Sequence, residues 1–169
     1  MDVFVDERKV FTGLFFQDSM MKYNFNCFPE VIFFDATYKL NELRMPLYLM
    51  LVIDSNGQSE IVSLFLTSLE TKEAITNMVK AFKAVNPSWC KVGVVITDKD
   101  FTERAVFEEQ FPGVQLQICL FHALRSFRRE VTAEKLGIRP GERDYSLEII
   151  TKLAYSRSEE EYEKHNALC

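Results

Sequence analysis

Hydrophobic residues first form a regular pattern at 31–34, where the apolar run VIFF leads directly into Asp35. Two further β-rich runs follow at 47–53 and 59–66, and the tetrapeptide between them, DSNG, contains Asn-Gly. Asn-Gly between two such runs is a strong hairpin signal. The pattern therefore predicts three consecutive antiparallel strands, over 31–40, 47–53 and 59–66.

Helical and β patterns then alternate along the chain. Apolar residues at helical spacing define each predicted helix, and Asn-Pro or Pro-Gly ends the first two. The predicted elements are a helix at 71–85, a strand at 91–96, a helix at 101–111, a strand at 114–118 and a helix at 119–131. The resulting element order is β β β α β α β α.

This element order restricts the topology. A three-stranded meander followed by two right-handed crossovers places the fourth strand beside the first. We therefore predict an α/β fold with a mixed five-stranded sheet in the order 3-2-1-4-5 and helices on both faces.

The chain divides into three predicted parts. Residues 1–28, which are rich in Phe, are interpreted as a lead-in segment that packs on the core, and residues 29–136 as the core itself. Residues 137–169 are interpreted as the start of a helical insertion or a C-terminal helical extension. The tripeptide RPG at 139–141 predicts a linker, and the acidic run at 159–163 is expected to face solvent.

The charge of the chain limits how it could bind nucleic acid. The formal net charge is −5 over 169 residues, whereas phosphate binding requires clustered Lys and Arg, so any contact with nucleic acid must be local. No stretch approaches the roughly 20 apolar residues of a membrane span. The four Cys form no paired framework. We therefore expect a reducing, intracellular location and no membrane partner.

Two aspartates are the candidate catalytic and metal-binding residues. Asp35 follows four apolar residues in a predicted central strand, where an unpaired acid is costly to bury. Asp98 ends the fourth strand, and the predicted topology brings it next to Asp35. Two close carboxylates repel each other unless a cation neutralises them, and Mg²⁺ or Mn²⁺ prefers oxygen ligands. The alternative is that Asp98, or Asp100, caps the following helix.

Cys119 and His122 have half of a zinc-like spacing at a predicted helix start. His165 and Cys169 offer a second half, but 42 residues lie between His122 and His165, which is unlike a compact zinc finger. A packed cysteine and a hydrogen-bonded histidine are the structural alternative for the first pair.

Three arginines form a predicted basic strip. Arg125, Arg128 and Arg129 recur at spacings of three and four, which places them on one side of a helix. They are candidate phosphate contacts, and a solvated helix face is the alternative.

Several of these residues also resemble a known family. The run FFDATYK at 33–39, the dipeptide TD at 97–98 and the CxxH motif at 119–122 resemble the Mutator-like element transposases. The hairpin sequence RMPLYLMLVID at 44–54 is similar to animal proteins that couple such a domain to a SWIM-type zinc finger. Those proteins resemble transposases taken over by the host.

The resemblance implies a ribonuclease H-like fold and a DDE catalytic core that uses two Asp and one Glu. Carried over by position, the two Asp are Asp35 and Asp98, and the family CxxH motif is Cys119 and His122. The third acid lies beyond an inserted helical region in the family and has no counterpart here, since the acids at 159–163 come too early. We therefore expect an excised or truncated core. Zinc would belong to the SWIM finger of the parent protein.

Two functions follow from the resemblance as expectations. The first is a non-catalytic, transposase-derived module of a nuclear protein that makes protein or weak DNA contacts. The second is a fragment of a metal-dependent DDE nuclease acting on DNA phosphodiesters, with Mg²⁺ or Mn²⁺ held by the two aspartates. The sequence identifies no protein partner, and we expect no small-molecule substrate.

Overall fold

A seven-stranded sheet organises the first of two compact units, Met1–Gln117 and Ile118–Cys169. The computed structural model describes residues 1–37, 42, 45–98 and 100–168. The elements of the first unit are β1 Asp2–Val5, β2 Phe11–Phe16, α1 Ser19–Cys27, β3 Val31–Thr37, β4 Leu47–Ile53, β5 Ser59–Thr67, α2 Lys72–Val85, a 3₁₀ turn Pro87–Lys91, β6 Val94–Thr97, α3 Phe101–Gln110 and β7 Gln115–Ile118.

The strand order in the sheet is β1-β2-β5-β4-β3-β6-β7. β3, β4 and β5 form the predicted antiparallel meander, and β6 pairs in parallel with β3. The predicted number of five strands is wrong, because the lead-in segment supplies two more strands at the edge of the sheet. β2 pairs antiparallel with β5, and β1 pairs with β2.

One continuous core lies between the sheet and the three helices of this unit. α1, α2 and α3 each bury apolar residues in it, and the ring of Phe25 meets that of Phe82 edge-on at 4.8 Å. The most deeply buried side chains, all under 2% exposed, are Phe15, Phe25, Phe82, Phe107, Ile32, Met50, Ile75, Met78, Val52, Val62, Val79 and Val95.

Phe34 connects β3 to α3 within this core. Its ring stacks on Tyr48 at 5.2 Å and meets Phe107 edge-on at 4.9 Å. Aromatic pairs of this kind stabilise by about 0.5 to 1.5 kcal/mol beyond the burial of their area. Because Phe34 precedes Asp35, the same packing holds Asp35 at a defined place relative to α3.

Gly13 lies where β2 approaches β5 closely. A Cβ at this position would lie 3.0 Å from the backbone oxygen of Leu66 and 3.1 Å from Cζ of Phe65. We expect Gly13→Ala to lower the free energy of unfolding by about 1 to 3 kcal/mol, because a backbone oxygen has little room to move. Urea unfolding followed by circular dichroism would measure it. Gly141→Ala is the control, since nothing lies within 4 Å of that Cβ, and an equal loss there would contradict the prediction.

The second unit contains four helices: α4 Leu120–Glu130, α5 Ala133–Leu136, α6 Pro140–Ala154 and α7 Glu159–Asn166. The prediction of a linker at 139–141 is wrong, because Pro140 is the first residue of α6 and Arg139 is its N-cap. Proline is favoured at the first position of a helix, where its missing N–H would have no partner in any case. No helix of the described residues is long and apolar enough to cross a membrane.

Candidate functional site

Asp35 lies in β3, and Asp98 directly follows β6, the strand that pairs in parallel with β3. β3 and β6 pair as Val31 with Val94, Ile32 with Val95 and Phe33 with Ile96. Every pair differs by 63 positions, and the same offset continued two residues past the last pair would set Asp98 opposite Asp35. Both aspartates are half-buried. The fold therefore brings the two acids to one end of adjacent central strands.

Asp100, rather than Asp98, caps the helix that follows β6. Its carboxylate accepts hydrogen bonds from the backbone N–H groups of Thr102, at 2.8 Å, and Glu103, at 3.1 Å. An N-cap of this kind satisfies helix N–H groups that would otherwise lack partners. Of the two aspartates that the sequence offered as the cap of this helix, Asp100 is the N-cap residue.

A third acid, Glu103, lies in the first turn of α3. The residue is only 5% exposed, and its Oε2 atom is buried without a hydrogen-bond partner. The Nη1 atom of the adjacent Arg104 is also buried without a partner. A buried carboxyl oxygen that makes no hydrogen bond is unusual, because its desolvation is not offset.

The side chains whose charges act on the pKa of Glu103 are all acidic. Burial is the largest cause that raises the pKa of Glu103, and the negative charges of Asp100, Asp98, Asp35 and Glu70 raise it further, from 4.5 to about 8. Glu103 therefore keeps its proton at neutral pH. The fold places this carboxyl within electrostatic reach of both predicted site aspartates.

Glu103 is not among the predicted site residues, because the burial of a helix residue does not follow from a strand end. The signal was present: Glu103, Val106 and Phe107 are the buried residues of α3 and lie three and four positions apart. An acid on the buried stripe of an amphipathic helix requires a partner or a function.

The donor set fits a hydrated divalent cation. Mg²⁺ loses its waters reluctantly and is commonly held by one or two carboxylates together with water. Among the residues that the structure describes, no three His, Cys, Asp or Glu side chains are arranged as a direct ligand set. Asp35 and Asp98 are the two carboxylates such an ion would need.

The predicted Cys-x-x-His pair lies at the start of α4. Cys119 is the N-cap residue and is half-buried, without a side-chain capping bond. The half-buried ring of His122 meets Phe121 edge-on at 5.3 Å. His165, from the second half of the predicted quartet, contacts the hydroxyl of Ser156 through Nδ1 at 3.1 Å. Cys169 lies outside the described residues.

The three arginines of the predicted basic strip lie on α4 and are exposed. Arg129 donates from Nε to Glu130 at 3.3 Å. Leu124 is the one residue of this helix that is buried. The exposure of the three arginines is compatible with a phosphate contact and equally with a solvated helix face, so it does not decide between the two interpretations.

Comparison with known proteins gives one family and two distant relatives. The family described as "Zinc finger SWIM domain-containing protein 1/3, RNaseH-like domain" matches residues 1–117. "Protein FAR1-RELATED SEQUENCE 5" of Arabidopsis thaliana is 24% identical over 71% of the chain, and "PKS-NRPS hybrid synthetase cheA" of Chaetomium globosum is 28% identical over 57% of it. The matches span only 15% and 2% of these relatives' lengths.

Proposed function

Since this chain belongs to the RNaseH-like domains of zinc finger SWIM domain-containing proteins 1 and 3, a family related to Mutator-like element transposases, we propose that it is a non-catalytic module that contacts nucleic acid in a nuclear protein. The observation that supports the proposal is the parallel pairing of β3 with β6, whose register, continued past its last pair, would bring Asp98 next to Asp35. We propose the nuclear location because the DNA that such a module would contact is nuclear.

Asp35 and Asp98 would hold one Mg²⁺ or Mn²⁺ ion. The bound cation would supply a local positive charge that attracts a phosphate oxygen of nucleic acid. The two aspartates would position the ion at the ends of two strands. The packing of Phe34 against α3 would hold the backbone of the neighbouring Asp35 in place. This local charge matters because the chain as a whole has a net charge of −5.

The binding role is favoured over cleavage by the environment of Glu103. Cleavage with two ions requires acids that are open to both ions and to the substrate. The third acid near Asp35 and Asp98 instead has its Oε2 atom buried. This arrangement supports retention of a cation without turnover.

Separately, the exposed arginines of α4 are proposed to contact phosphate. We expect the triple variant Arg125→Ala, Arg128→Ala, Arg129→Ala to weaken binding of a short DNA duplex about 10-fold and to reduce the log–log salt slope by about 2 to 3. Fluorescence anisotropy at several salt concentrations would measure both quantities. The matched control removes the same charge from exposed residues elsewhere, Arg8, Lys80 and Lys91. Equal weakening by the control would contradict a specific role for α4.

The second candidate function is metal-dependent cleavage of DNA, and the alignment of both aspartates favours it. A nicking assay on supercoiled DNA with Mn²⁺ separates the two functions. We expect no metal-dependent nicking by the chain. If the chain does nick DNA and the activity disappears in Asp35→Asn, the non-catalytic proposal is wrong and the nuclease proposal is supported.

A further inference from the structure

An exposed aromatic ring lies among the arginines of α4. Phe121 is 66% exposed and precedes Arg125 by four residues and Arg128 by seven. At about 100° per residue, Phe121 lies about 40° from Arg125 on one side and about 20° from Arg128 on the other. One exposed apolar residue is ordinary on a protein surface. This ring, however, is placed between two cations on the same exposed side of a helix.

We propose that this side of α4 binds single-stranded DNA, with the ring of Phe121 stacked on an unpaired base while Arg125 and Arg128 contact phosphates of the same strand. The inference rests on the proposed phosphate contacts of α4 and names the form of DNA that they meet. Within a duplex the bases are stacked on each other, so a side chain can stack on a base only where the strand is unpaired.

The first support is the charge of this side of α4. Glu130, at the C-terminal end, is the one acidic residue of the helix, and it contacts Arg129 at 3.3 Å and Lys135 at 2.9 Å. Among the residues that the structure describes, Arg125 and Arg128 form no ion pair. Cations that are not neutralised within the protein remain available to a polyanion.

The second support is the contact that holds the ring. The half-buried ring of His122 meets Phe121 edge-on at 5.3 Å. An edge-on contact restricts the orientation of the phenylalanine ring, although the residue stays 66% exposed. A ring that is already oriented loses less conformational freedom when a base stacks on it.

The third support is the distribution of apolar and basic residues, which favours nucleic acid over a membrane surface. Helices that lie on membranes separate an apolar side, which enters the lipid, from a basic side. In α4 the insertion of Phe121 into lipid would also draw in Arg128, which lies only about 20° away around the helix. Alternating aromatic and basic side chains are instead typical of surfaces that bind single strands.

The test is fluorescence anisotropy of the whole chain without divalent cations. The probes are a labelled oligothymidine of about 16 nucleotides and a duplex of the same length. We expect tighter binding of the single strand. Phe121→Leu should weaken that binding about 10-fold, because stacking on the ring is lost, and Phe121→Trp should retain it. Phe101→Leu is the matched control, since Phe101 is an exposed phenylalanine of α3 and should leave binding unchanged.

The salt dependence separates the ring from the cations. Stacking releases no counterions, so Phe121→Leu should keep the wild-type log–log salt slope, whereas the triple arginine variant should reduce it. A general disruption of α4 would reduce the slope in Phe121→Leu as well, and this result would overturn the proposal. Circular dichroism establishes that each variant is folded.

The outcomes distinguish this inference from the phosphate contacts on which it rests. If wild type binds neither probe, or the triple arginine variant binds both as wild type does, the phosphate contacts and the stacking role are both wrong. If the triple variant binds more weakly but wild type prefers the duplex, or Phe121→Leu binds the single strand as wild type does, only the stacking role is overturned. Equal weakening by Phe101→Leu, or by Phe121→Trp and Phe121→Leu alike, also overturns it.

Vesicles of phosphatidylcholine and phosphatidylserine test the membrane surface directly. We expect wild type not to sediment with them. Sedimentation that requires Phe121, without binding of the oligothymidine, would assign this side of α4 to a membrane and overturn the proposal.

Discussion

Glu103→Gln is expected to raise the free energy of unfolding in alkaline solution by an amount on the order of 5 kcal/mol. Burial and four acidic neighbours raise the pKa of Glu103 from 4.5 to about 8 in the folded chain. Each pH unit across that interval corresponds to about 1.4 kcal/mol. The variant cannot ionise, so it avoids the buried negative charge.

The direction of the pH dependence follows from proton binding. Below pH 4.5 the carboxyl is protonated in both states, and its contribution to stability is unaffected by pH. Between 4.5 and about 8 the folded chain holds a proton that the unfolded chain has released, so the free energy of unfolding falls as pH rises. Above about 8 both states are ionised, and the full cost of the buried charge is present.

Urea denaturation of wild type and Glu103→Gln between pH 5 and pH 9, without divalent cations, would measure this effect. The two curves should diverge as pH rises to about 8 and remain equally separated above it. Glu108→Gln provides the control on the same helix, and its curve should follow that of wild type. A wild-type curve whose separation from Glu103→Gln does not change with pH would show that the carboxyl is not buried as described.

Phe107→Ala is expected to destabilise the chain by about 3 to 5 kcal/mol, the cost of removing a buried phenylalanine ring. Phe107 is fully buried, meets Phe34 edge-on at 4.9 Å and stacks on Phe111 at 5.6 Å. Its ring therefore connects β3 to α3. Loss of that ring leaves a cavity between β3 and α3.

Chemical denaturation at pH 6 would measure the loss. Phe101→Ala is the matched control, because Phe101 lies on the same helix but is 87% exposed. The control should change the free energy of unfolding by less than about 0.5 kcal/mol. Similar losses in the two variants would show that α3 does not pack on the sheet through Phe107.

The central part of the fold could be predicted because its signals are local. The DSNG turn determined β4 as Leu47–Ile53 without error, and the carboxylate of Asp54 accepts two backbone N–H groups there, from Asn56 and Gln58. The lead-in strands were missed because their pairing is distant: β2 has a partner only once β5 is in place. A glycine in the middle of β2 also weakened the β pattern.

The part of the candidate site that depends on strand topology could be predicted from the sequence. Asp35 and Asp98 could be predicted as a pair because an acid after a buried strand is conspicuous, and the crossover rule places the two strands side by side. Glu103 was not found because its burial depends on how α3 rotates on the sheet. That rotation is set by rings such as Phe107, which no local pattern reveals.

The sheet has a consequence for how the chain acquires its structure. Gly13 pairs with Thr67, 54 positions away, and Val31 pairs with Val94, 63 positions away. Such high contact order means that large loops must close before either pairing becomes favourable, so folding should be slow compared with that of a helical bundle of equal size. During synthesis β2 leaves the ribosome long before β5. Until β5 has been synthesised, the backbone groups of β2 that pair with it have no partner, and the phenylalanines of β2 are exposed. The nascent chain therefore passes through a period in which it is open to aggregation and suited to chaperone binding.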